Sequence, residues 1–146
     1  MKKGTVLEII SFAFILLFLY TSLSKIFMGS LYIYDLKRSP IIGPYAYVLA
    51  VLIPASEITI SLLLYFNKTR KYGLYGALVL MLLFTAYVGY ILGSGGKTPC
   101  TCGGIIRELT WKNHLIFNIV FTILAIIGNY LQYKKDHTTL FTKPSF

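Results

Sequence analysis

Acidic side chains are nearly absent, with Asp and Glu together contributing five residues of 146. Even with 14 Lys and Arg, only 13% of the chain is charged, about half the ~25% usual in soluble domains. A water-solvated globule is therefore excluded. Cysteine is confined to Cys100 and Cys102, which rules out a multi-disulfide scaffold and an all-cysteine zinc site. The five prolines stand at Pro40, Pro44, Pro54, Pro99 and Pro144, so long stretches run without a helix breaker.

Hydrocarbon fills those stretches: 56% of the residues are hydrophobic. Four runs, 5–27, 45–66, 72–92 and 113–133, reach the roughly 20 residues that a membrane-crossing helix needs. The fold class expected is all-α, a four-helix transmembrane bundle over residues 1–133 followed by a polar, mobile tail over 134–146. Lys2-Lys3, the first apolar run and Ser22-Leu23-Ser24 imitate a cleavable signal peptide. Glu8 interrupts its apolar core, so the segment is read as a retained span.

A net charge of +9 suggests nucleic acid, but its distribution points to a bilayer. With the amino terminus inside, Lys2, Lys3, Lys68, Arg70, Lys71, Lys134, Lys135 and Lys143 are inner, while Lys37, Arg38, Lys97, Arg107 and Lys112 are outer. That bias predicts both termini on the cytoplasmic side of the inner membrane and the cysteine segment on the outer, periplasmic face. Tyr65, Tyr72, Tyr75, Tyr130 and Tyr133 at inner span ends, with Tyr45, Tyr47, Tyr87, Tyr90 and Trp111 at outer ones, form two aromatic belts. The two outer connections read as loops of about 17–20 residues, a length that is usually functional or disordered.

Polar residues inside the spans recur at helical spacing. Glu8, Ser11, Ser22 and Lys25 share one face, as do Ala50, Pro54, Glu57 and Ser61. His114, Asn118, Thr122, Ala125, Asn129 and Gln132 share another, and Thr85, Gly89 and Gly93 make a small-residue edge. Most of these serve helix packing. Glu57 stands apart at about 12 residues, or ~18 Å, into its span, where a carboxylate must be paired, hydrogen-bonded or protonated. It is either a proton relay, a polar anchor for a cofactor headgroup or a structural hydrogen bond. Lys25 falls near the outer interface, where it can snorkel. By axial depth it lies beyond direct reach of Glu57.

The cysteines are one residue apart in Pro99-Cys100-Thr101-Cys102-Gly103-Gly104. Residues so spaced can meet the ~4.4–6.8 Å Cα separation of a disulfide, and a ring so small is strained and labile. His114, at the head of the fourth span, is the side chain able to tune a thiol or take its proton. Three readings of the pair stay open: thiol–disulfide exchange, a soft-metal site with His114, and a structural disulfide that closes too short a loop to stabilise much. The first makes the chain a thiol-disulfide oxidoreductase or its accessory. A transporter or maturation chaperone, and a metal-delivery protein, are the competing classes. No cofactor motif is present; a quinone could contact the aromatic outer ends, and a metal site would be short of ligands.

Ser24-Lys25, Pro54-x-x-Glu57, Cys-x-Cys-Gly and Trp111-x-x-His114-x-x-x-Asn118 together resemble the methylamine-utilisation MauE family, related to DoxX-like membrane proteins, over Ile9 to Leu131. The resemblance implies a redox-associated inner-membrane protein. In the founding members the role is processing, transport or maturation of the disulfide-rich small subunit of methylamine dehydrogenase. The partner implied is an exported thioredoxin-like or disulfide-containing protein, with Cys100 and Cys102 as the redox pair, His114 beside them and Glu57, Lys25 and Asn118 in support.

Overall fold

A computed structural model describes residues 2–93 and 111–142. Five α-helices follow in order: α1 Lys3–Phe27, α2 Gly29–Lys37, α3 Ala46–Tyr65, α4 Arg70–Gly93 and α5 Trp111–Thr142. A single 3₁₀ turn, Gly43–Tyr45, precedes α3, and the described residues contain no strand. Four of the helical segments are long and apolar enough to cross a membrane. The reason is physical: in hydrocarbon every backbone N–H must bond within its own segment, which a helix alone provides for a single span.

The helices form a ring in chain order. α1 packs against α3 and α5, α4 packs against α3 and α5, and the diagonal pairs scarcely touch. Its core is built on one stripe of α1, where Leu7, Ile10, Phe14 and Phe18 are buried against Ile60 and Leu64 of α3, Leu74, Ala77 and Met81 of α4, and Ala125 of α5. The outward faces carry exposed Phe12, Leu16, Val51 and Leu83. Bulky apolar groups all round the bundle are stable only against lipid.

The connection between the first two spans is mostly helix where a loop was expected. Met28 N donates to Ser24 O at 3.0 Å and Tyr32 N to Met28 O at 2.8 Å, so helical bonding crosses the junction. α2 thus extends α1 with a break at Met28. Tyr32 and Leu36 of α2 then pack on Ala46, with Ile42, Leu49 and Ala50 around them. The return turn is tight: a Cβ on Gly43 would sit 2.7 Å from Lys37 O, closer than any side chain allows. Ser39 ties this turn to α4 through Tyr87 Oη.

At the opposite end, residues 66–69 make a short turn. Thr69 Oγ1 donates to Leu63 O at 2.9 Å, and the buried Arg70 donates through Nε to Leu64 O at 3.5 Å. A cation and a hydroxyl so placed satisfy terminal carbonyls of α3 and oppose its dipole. Close helix contact occurs at Gly73, where an added Cβ would lie 2.8 Å from Leu64 N, and at Gly76, 2.9 Å from Ile60 Cγ1. Among the described residues Gly89 and Gly93 have no neighbour that close. The expected small-residue edge therefore holds only at Thr85, which bonds Thr122 of α5 at 3.2 Å.

Residues 134–142 also differ from expectation, since α5 continues to Thr142 as helix. Within it the hydroxyls of Thr138 and Thr139 donate back to the carbonyls of Lys134 and Lys135. At 32 residues the helix is about 48 Å long, against a hydrocarbon core of ~30 Å.

Candidate functional site

The polar stripes read from the sequence converge on one place. Lys25 Nζ stands 2.7 Å from Glu57 Oε1, in an ion pair whose residues are 3% and 0% exposed. This corrects the expectation that Lys25 lies out of reach. The span was measured from Phe27, whereas α2 carries the helical path on to Lys37. Lys25 is twelve residues below Lys37, and Glu57 is twelve below Tyr45, so the two side chains sit at one depth.

Each helix positions its contribution for a local reason. On α1 the buried stripe ends in Thr21, Ser22 and Lys25; Glu8, expected on the same face, is exposed. On α3, Pro54 removes one backbone donor a turn before Glu57, and Ser61 Oγ donates to Glu57 O at 2.9 Å. On α5, His114 is 1% exposed and Asn118 3%, and Thr122 Oγ1 donates to Asn118 O at 2.7 Å. The α4 contribution is apolar, with Phe84 facing Lys25 Nζ at 5.8 Å from the ring centroid, inside cation–π range.

These groups line a cavity of about 20 Å³, enough for one water-sized group. Among the described residues Glu57 Oε2 and Asn118 Nδ2 are buried without a hydrogen-bond partner, and both residues line the cavity. One is an acceptor and the other a donor. A single hydroxylic group between them would satisfy both, and Oε2 is the atom through which this site can accept a proton.

The energetics of the pair are asymmetric. Its Coulomb attraction is largely offset by desolvation of two charges, but removing one partner leaves a buried charge at a cost of about 3–5 kcal/mol. The site is therefore intolerant of single changes.

Of the residues singled out from the sequence, Lys25, Glu57, His114 and Asn118 meet at this cavity. Cys100 and Cys102 lie outside the described residues. Among the described residues no group of three or more metal-ligating side chains is found. Sequence reasoning passed over Thr21, Met81, Phe84 and Phe117, which also line the cavity. Thr21 had a signal, standing four residues before Lys25 on the same face. The two phenylalanines and Met81 had none, because apolar residues in an apolar span carry no pattern of their own.

No curated protein and no solved structure matches the chain. The family described as "Methylamine utilisation protein MauE" matches residues 3–131, which takes in α1 to α4 and most of α5, and so all the helices that enclose the buried ion pair. This multi-pass membrane chain belongs to the MauE family.

Proposed function

We propose that this protein is a redox-associated membrane component that performs thiol–disulfide exchange through Cys100 and Cys102 in the maturation of an exported partner. The observation that carries the reading is one of chain order. Both cysteines fall between the end of α4 at Gly93 and the start of α5 at Trp111. The helix they lead into brings the buried His114 and Asn118 to the Lys25–Glu57 pair.

In the exchange, a partner thiolate attacks one sulfur of the Cys100–Cys102 disulfide. A mixed disulfide forms as the intramolecular S–S bond breaks, and the released cysteine leaves as a thiolate. A second partner thiolate then attacks the mixed disulfide, giving an oxidised partner and a Cys100/Cys102 dithiol, with two electrons transferred. The partner's two protons pass to the dithiol. The reverse sequence reduces the partner. Reoxidation of the dithiol requires a second disulfide protein or a lipid-soluble quinone as acceptor. Glu57, Lys25, His114 and Asn118 support the bundle around this chemistry, with Glu57 Oε2 as the proton-accepting atom in its interior. The family's link to methylamine utilisation makes the disulfide-rich small subunit of methylamine dehydrogenase one partner of the right class.

Trapping tests the reading. With Cys102 as the attacking thiol, Cys100→Ser should accumulate a reducible adduct on non-reducing gels, Cys102→Ser less, and the double variant none. Absence of any adduct at native expression from both single variants, together with stoichiometric copper or zinc in the purified protein, would replace exchange with metal delivery.

A further inference from the structure

The bundle end that carries Lys3 has clefts on both sides of α5, and their chemistry differs. On the α4 side the cleft includes Lys68 and Lys71 but also Asp136, which accepts a hydrogen bond from Gln132 Nε2 at 2.9 Å. On the α1 side a cleft of about 270 Å³ is lined by Lys3, Lys134 and Lys135, with no carboxylate among its lining residues. Three ammonium groups from two helices face a concavity with nothing acidic in it. Among the described residues Lys3 and Lys135 make no ion pair, and Lys134 makes only a cation–π contact, 5.1 Å from the Tyr130 ring centroid.

Below the amines the lining becomes hydrocarbon. Leu7, 1% exposed, and Leu131 form the apolar part. Tyr130 and Tyr133, both exposed, place this level at the lipid headgroup region, where amphipathic rings settle. Thr138 Oγ1 spends its proton on Lys134 O at 2.9 Å, so recognition rests on the amines. A basic pocket between helices at headgroup depth, continuous with an apolar groove, fits a group with an anionic head and acyl chains.

We infer that the Lys3–Lys134–Lys135 cleft is a binding site for the phosphate headgroup of an anionic phospholipid, whose acyl chains run along Leu7 and Leu131. The site is independent of the cysteine chemistry and lies at the opposite end of the bundle from the segment that carries it. It gives the positive charge of this cleft a specific counter-ion. Each lysine at such a surface strengthens anionic-lipid binding roughly fivefold, so three make a site that separates anionic from zwitterionic lipid clearly.

The test is a lipid titration of the full-length, detergent-solubilised protein, read by native mass spectrometry and by melting temperature. Phosphatidylglycerol, phosphatidylcholine and inorganic phosphate are the probes. The site predicts tighter retention of phosphatidylglycerol than phosphatidylcholine by roughly tenfold or more. The triple variant K3Q/K134Q/K135Q should lose that preference, while K68Q/K71Q in the neighbouring cleft and the charge-preserving K3R/K134R/K135R should keep it. Equal retention of the two lipids by the wild type, or equal loss in K68Q/K71Q, would overturn the proposal. Stabilisation by millimolar inorganic phosphate matching that by phosphatidylglycerol would also overturn it, assigning the cleft to a soluble phosphate.

Discussion

A lysine and a glutamate buried at 2.7 Å within a hydrocarbon-solvated bundle can be tested for whether they matter as charges or as shapes. Glu57→Leu alone leaves Lys25 unpaired and should lower stability by about 3–5 kcal/mol, and Lys25→Met should behave alike. The double variant Lys25→Met/Glu57→Leu removes both charges and should recover most of that loss in a melting assay. If the recovered protein then fails in the maturation proposed above, the pair serves function; if it supports that maturation fully, the pair is structural. Glu57 was legible as important in the sequence because a carboxylate twelve residues into an apolar run has few explanations. Its partner was not, because sequence gives axial depth only when the end of the helix is known, and the break at Met28 disguises the true end.

Helix–helix spacing is set by single atoms at Gly73. A Cβ there meets the backbone nitrogen of Leu64 at 2.8 Å, and backbone cannot swing aside as a side-chain tip can. Gly73→Val should therefore force α3 and α4 apart and cost about 1–3 kcal/mol, seen as a lower melting temperature. Gly89→Ala, with nothing within 4 Å among the described residues, should cost little; an equal loss at both sites would refute this account of the α3–α4 contact. Four helices long and apolar enough to cross a membrane were readable from hydropathy alone; hydropathy did not reveal that helix runs on past Phe27 through α2 and past Tyr133 to Thr142. Among the described residues the close α4 contacts fall at Gly73 and Gly76 and not at Gly89 or Gly93, because which small residues of α4 meet a neighbour depends on rotation about the helix axis. Residues 134–142 look like a tail because their composition is polar. Helix persists there with the threonine hydroxyls bonded back to carbonyls of the preceding turn, so they do not compete for the backbone in a non-helical conformation.

Taken as a whole molecule, the ring of four helices has its two ends chemically unlike. One carries the amine-lined cleft and the Arg70 cap, the other the connection through Cys100 and Cys102. The charge bias of the sequence, eight basic residues against five with Lys25 inside the bundle, motivates the proposal that the Lys3 end is cytoplasmic. A membrane-impermeant maleimide applied to reduced spheroplasts should label Cys100 and Cys102 without permeabilisation. Labelling only after permeabilisation would invert the topology and remove the exported partner from consideration.

The pairing of Lys25 with Glu57 also bears on biogenesis. Both charges belong to spans that leave the ribosome before α4 and α5, and each alone would cost about 2.5–3.5 kcal/mol at mid-membrane on insertion scales. Because α1 and α3 are direct neighbours, the two charges can neutralise each other within the first hairpin, before α4 and α5 are synthesised. The nascent chain thus enters the lipid as an electrically closed unit, and the later helices assemble around a charge that is already balanced.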